Sequence, residues 1–109
     1  MGREAMTPLP HAKDALEVLG HQIRAERVAA RLTQAQLAAR AGVSARTLSL
    51  IEHGRPEPSI GNVFNVAAVL GMRLFGADPA ELAQMHVSAR RINSLIPQRV
   101  IPIEMDDDF

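Results

Sequence analysis

Arg46 and Ser49 stand three residues apart in the stretch SARTLSLIEH, and their neighbours Ala45 and Leu50 are apolar. An arginine fork can donate two parallel hydrogen bonds to guanine, and a serine hydroxyl can donate or accept. Alanine and leucine offer apolar contact suited to a thymine methyl. Helical spacing puts Ala45, Arg46, Ser49, Leu50 and His53 on one face, with Leu48 and Ile51 on the opposite, inward face. The same outer face is compatible with plain solvation and one stray leucine. The capped helix and glycine turn in front of it favour contact with base edges.

Those preceding elements can be read residue by residue. Thr33 is a good N-cap, and Gln36 three residues later completes a capping box. Leu32 and Leu37 occupy hydrophobic-staple positions around that cap. Ser44 repeats the pattern with Val43 and Leu48. Gly42 sits where the first helix must stop within one residue, and Gly54 where the second must. The expected elements are a helix over 34–41, a turn at Gly42 and Val43, and a helix over 45–53. Leu37, Ala38 and Ala41 form the inner face of the first, and small Ala38 allows a close crossing. Helices this short need neighbours to pack on.

Charge distribution agrees with a polyanionic partner. Lysine plus arginine and aspartate plus glutamate balance at 12 each. Residues 20–55 nevertheless carry Arg24, Arg27, Arg31, Arg40, Arg46 and Arg55 against Glu26 and Glu52 only, a local excess of four positive charges. The ending carries Glu104, Asp106, Asp107 and Asp108. Local field rather than the total steers a polyanion. Eleven of the basic residues are arginine, which favours bidentate contacts. Tyr and Trp are absent and Phe occurs three times, so the aromatic platforms of single-strand binders are missing.

Residues 16–71 resemble the Xre family of helix-turn-helix domains, which share the fold of the lambdoid phage repressors. The resemblance rests on Ile23-Arg24, Leu32-Thr33-Gln34, Leu37-Ala38, Ala41-Gly42-Val43-Ser44, Thr47-Leu48, Ile51-Glu52, Gly54 and Pro58-Ser59. It implies base reading by Ser44, Ala45, Arg46, Ser49 and Leu50. It implies a phosphate contact from Gln34, and an ion pair between Arg27 and Glu52. Thr47, His53 and Arg55 flank the reading face and are expected at phosphates too.

The flanks supply the rest of the domain. A helix is expected over 13–31, or from near Gly20, with Leu16, Leu19, Ile23 and Ala30 on one stripe. Residues 1–12 hold two prolines and no periodicity, which predicts a flexible arm. Arg55-Pro56-Glu57-Pro58 is an extended connection. Ser59 caps a helix over 60–70 with Ile60, Val63, Phe64, Ala67 and Leu70 inward. Asn62, in its first turn, is a further phosphate candidate, because helix N-termini favour anions, although a plain polar residue fits there equally.

Residues 72–96 are expected to dimerise. Met72-Arg73-Leu74-Phe75 is a strand candidate that could pair with its copy in a second subunit. Asp78-Pro79-Ala80-Glu81 starts a helix whose apolar residues Leu82, Met85, Ala89, Ile92 and Ile96 form a narrow seam. That seam suits a partner helix or the chain's own domain. The tail over 97–109 is acidic with apolar flanks, suited to docking in a groove. This C-terminal part resembles HipB-like antitoxins, which implies a homodimer on palindromic double-stranded DNA and a HipA-type kinase toxin as partner. A stand-alone regulator, or an interaction module without DNA binding, are the alternatives.

The fold class expected is therefore all-α, a helix-turn-helix domain with a short C-terminal strand and an added helix. No enzyme is expected, since no HExxH, glycine-rich phosphate loop or Ser-His-Asp pattern occurs and His11, His21, His53 and His86 fall in separate segments. No cofactor or metal is expected, and cysteine is absent. No apolar run reaches membrane-spanning length and the N-terminus shows no signal-peptide core, so the expected location is the cytoplasm.

Overall fold

Capping chemistry sets where most of the helices begin. The computed structural model describes residues 6–103 and contains five helices: α1 (Pro10–Ala29), α2 (Gln34–Ala41), α3 (Ala45–Glu52), α4 (Ile60–Val69) and α5 (Pro79–Ser94). Thr33, Ser44, Ser59 and Asp78 each accept a backbone N–H from the residue three positions on. The box at Thr33 and Gln36 is closed in both directions, with the Thr33 amide donating to Gln36 Oε1 at 2.9 Å. Asp78 and Glu81 close a second one. The hydrogen bond from the Glu81 amide holds the Asp78 carboxyl below its usual range.

The first four helices end alike. The amides of Leu32, Val43, Arg55 and Met72 reach back five residues to the carbonyls of Arg27, Ala38, Leu50 and Ala67. The residue before each donor is left-handed: Arg31 at φ 58°, Gly42 at 70°, Gly54 at 69° and Gly71 at 71°. At Gly42 this brings the chain round from α2 into the Ser44 cap. The expectation of a helix running to residue 31 fails because Arg31 takes the left-handed position without being glycine. The helix starts earlier than expected as well. Pro10 opens it, where a proline needs no amide partner.

The chain divides after Gly76 into two compact units. In the first, α1 packs on α3, α3 on α2 and α2 on α4. Ile23, Leu37, Ala38, Ala41, Leu48, Ile51 and Val66 form its core, flanked by Leu19, Leu32, Val43, Val63, Leu70 and Met72. Three inner assignments differ from expectation. Ala30 is exposed at the C-cap of α1. Ile60, at the first position of α4, is 72% exposed, and Phe64 one turn later lies on the surface too.

The strand expected over 72–75 is not formed. Leu74 makes only an isolated bridge, and no residue of the segment lies in a strand. Phe75 and Gly76 both have positive φ, 55° and 68°, so the chain reverses where the strand should have continued. Met72 is tied back to the end of α4 by its amide and packs against the core. The Arg73 guanidinium donates to the Gly76 carbonyl at 3.0 and 3.2 Å, which braces the reversal. The second unit contains α5, which has no buried residue. Its helical seam is Leu82, Met85, Ala89 and Ile92, and Ile96 lies beyond its end. The acidic residues Glu104 to Asp108 fall outside the described residues. Among the described residues no helix is long and apolar enough to cross a membrane.

Gly20 sits buried inside α1 against the end of α3. A Cβ there would lie 2.7 Å from the carbonyl oxygens of Ile51 and Glu52. Helix propensity alone favours alanine over glycine by about 1 kcal/mol. Backbone cannot give way as a flexible side chain can, so the two helices would have to separate. Gly20→Ala is therefore expected to destabilise the domain, by about 1–3 kcal/mol in urea unfolding. Stabilisation by the variant would show that the close crossing is not needed.

Candidate nucleic-acid interface

An exposed helix can read a groove only if its own inner face and both its ends are held. Leu48 is fully buried and Ile51 nearly so, which fixes the rotation of α3 about its axis. Ala45, Arg46 and His53 are then exposed, and Thr47, Ser49 and Leu50 half-exposed. The outward set expected from helical spacing thus faces solvent fully at Ala45, Arg46 and His53 and only in part at Ser49 and Leu50.

The hydroxyl of Ser44 is committed to the start of α3. It accepts from the Thr47 amide at 3.0 Å and donates to the Thr47 hydroxyl at 3.0 Å. Base contact from Ser44 would compete with this cap, and Thr47 is oriented by it. At the other end, His53 Nδ1 lies 2.7 Å from the Ser49 carbonyl. A carbonyl only accepts, so Nδ1 carries the proton. The remaining Nε2 can donate to a phosphate only as imidazolium.

A nearly buried carboxylate ties three helices together. Glu52, at the last position of α3, takes a bidentate pair from Arg27 of α1, with Nε–Oε2 at 2.6 Å and Nη2–Oε1 at 3.1 Å. The third arginine nitrogen donates to the Leu32 carbonyl at 2.9 Å. Gln34, opening α2, donates its side-chain amide to Glu52 Oε1 at 3.1 Å. The Glu52 side chain is only 2% exposed and that of Arg27 12%. Donating hydrogen bonds to the Glu52 carboxylate raises the affinity of the Arg27 guanidinium for its proton. No described buried side-chain polar atom is left without a partner. The Arg27–Glu52 pair implied by the family resemblance is therefore present. The Gln34 amide carries two hydrogens, so its bond to Glu52 leaves the second for a phosphate.

Arg55 differs from the expectation of a waiting phosphate contact. Its guanidinium is held by Glu57, with Nη2–Oε1 at 2.6 Å and Nε–Oε2 at 3.2 Å. The hydrogen bond from Arg55 holds the Glu57 carboxyl below the usual carboxylate range. Glu57 is not among the residues expected at the site. Opposite charges two residues apart across Pro56, in an extended segment, were the available signal.

Asn62 is half-buried in the first turn of α4, where its amide donates to the Ser59 hydroxyl at 3.2 Å. The residues expected at a dimer contact fall in both units. Met72 is half-buried against the core of the first and Leu74 is half-buried. Phe75 is 74% exposed, with its ring centroid 6.1 Å from that of Phe64. On α5, Leu82 is half-buried while Met85 and Ile92 are exposed.

Residues 23–75 match the family described as Helix-turn-helix. The chain is similar to an uncharacterized HTH-type transcriptional regulator, y4dL, of Sinorhizobium fredii (strain NBRC 101917 / NGR234). The two are 36% identical over 58 residues, which is 53% of this chain and 30% of that protein. The chain thus spans under a third of that relative's length. Among solved structures, the clp gene regulator ClgR from Corynebacterium glutamicum aligns with a TM-score of 0.48 and 28% identity. The alignment covers 80% of this chain and 89% of that one.

Breaking a buried pair leaves one charge without compensation. Glu52→Ala is expected to lower unfolding stability by about 3 kcal/mol. It also removes the partner that orients Gln34. A change within the ordinary range of surface substitutions, about 0.5 kcal/mol, would contradict a structural role for the network.

Proposed function

We propose that this chain is a sequence-specific double-stranded DNA-binding transcription regulator that acts as a homodimer. One observation carries the reading: α2, a left-handed glycine turn and α3 present Ala45 and Arg46 outward on a helix whose inner face and C-terminal end are locked. In this docking geometry α3 lies in the major groove and α2 crosses the backbone. Arg46 reads guanine, with Ala45, Ser49 and Leu50 beside it. Gln34, Thr47, His53, Arg55 and Asn62 supply the phosphate contacts that set register. The description of the Sinorhizobium fredii relative as a transcriptional regulator supports the regulatory role.

The dimer reading rests on α5, an amphipathic helix with no buried residue, and on exposed Phe75. A two-fold pair would put two copies of α3 about one DNA turn apart, roughly 34–36 Å, over a palindromic site. We read the chain as non-enzymatic and cytoplasmic. A HipA-type kinase as partner is a narrower proposal. It is carried by the sequence resemblance beyond residue 71 alone, and that resemblance included the strand that is not formed. Capture of such a kinase by the full chain in a pull-down tests it.

Arg46→Ala is expected to weaken specific binding by about 1–3 kcal/mol and to relax one base position in each half-site. Unchanged affinity and unchanged base preference in a quantitative shift assay would remove α3 as the reading element. For the dimer, sedimentation of the wild type should give twice the mass of one chain, and Met85→Asp should shift it toward monomer. A wild type that sediments as a monomer when free, and binds as one, contradicts the two-fold arrangement.

A further inference from the structure

Arg55 follows the left-handed stop of α3, and its fork is already filled. Glu57 offers it two carboxylate oxygens at 2.6 and 3.2 Å. A phosphate presents the same pair of oxygens to a guanidinium, so carboxylate and phosphate compete for one set of donors. The arrangement is local and stiff. Pro56 and Pro58 flank Glu57 and restrict the backbone on both sides of it. It is also reachable, since the Arg55 and Glu57 side chains are 56% and 40% exposed. Attraction from Arg46, the residue assigned to base reading, adds to the hold on the Glu57 charge.

We propose that Glu57 is a built-in phosphate mimic that occupies Arg55 in the free protein and must be displaced when the chain binds duplex DNA. The inference rests on the DNA-binding reading and deepens it. Binding exchanges one ion pair at Arg55 for another, so Arg55 adds less sequence-independent affinity than an open arginine would. The displaced carboxylate stays beside the duplex as a like charge, which offsets the phosphate charge that Arg55 neutralises. Arg55 therefore contributes little to net counterion release as long as Glu57 is charged. Weak backbone attraction holds down binding to arbitrary sequence, which leaves more of the discrimination to the face of α3.

The test uses the full chain as wild type, Glu57→Gln, Arg55→Ala and the double variant. Each is titrated by fluorescence anisotropy against a labelled duplex of mixed sequence over a series of sodium chloride concentrations. Both residues are at the surface, so the substitutions leave the core untouched. Glu57→Gln is expected to bind about two- to fivefold tighter, the range of an exposed ion pair. Its plot of log affinity against log salt should steepen by up to about 0.9, the value of one phosphate contact. Without Arg55 the gain should vanish, so that the double variant binds like Arg55→Ala. Equal affinity and slope for wild type and Glu57→Gln overturn the inference while leaving the DNA-binding reading standing. So does a gain of the same size in the Arg55→Ala background, which would mark a general field effect. A wild type with no affinity for the duplex overturns both.

Discussion

Everything that the outer face of α3 can do depends on the nearly buried carboxylate of Glu52. It receives Arg27 from α1 and Gln34 from α2, and it belongs to α3 itself. A charge in that position is costly unless its oxygens are matched, and here donors from both other helices match them. The result is a fixed angle between the helix that would brace the backbone and the helix that would enter the groove. Packing by Leu37, Leu48 and Ile51 supplies cohesion. The charged network adds direction, because hydrogen bonds tolerate less rotation than methyl contacts do. On the proposed reading Gln34 joins structure to binding, since its amide bonds Glu52 and keeps a second hydrogen for a phosphate.

Close approach is the second constraint. The carbonyls that end α3 lie where a side chain on residue 20 would be, so α1 can press directly on that turn. Burial of Ile23 beside it, and the reach of Arg27 to Glu52, both require that proximity. A glycine that weakens α1 as an isolated helix is thus what allows the three-helix arrangement to close.

Much of the reading unit was legible in advance because its signals are local. Thr33, Gln36, Ser44 and Ser59 act within three residues of themselves, and Gly42 and Gly54 declare left-handed stops. The outward placement of Ala45, Arg46 and His53 followed from a period of 3.6 residues. What escaped depended on partners distant in sequence or on residues in unusual roles. Arg31 and Phe75 take positive φ without being glycine, so neither the end of α1 nor the reversal replacing the strand was announced. Gly20 looked like a weak point because the carbonyls it accommodates belong to another helix. Ile60 and Phe64 have the right polarity for the core, but at their positions on α4 Ile60 meets solvent and Phe64 sits at the surface beside Phe75. Glu57 lies just beyond the 20–55 stretch whose charge balance contains Arg55, so a regional balance divides the pair.

The most direct measurement is amide chemical-shift mapping of the isotope-labelled chain during titration with duplex DNA. The largest perturbations are expected along Ser44–His53, with a second group at Gln34 and the start of α2. Perturbations confined to α1 or α5 while α3 stays unchanged, or none at any duplex concentration, would contradict groove reading by α3.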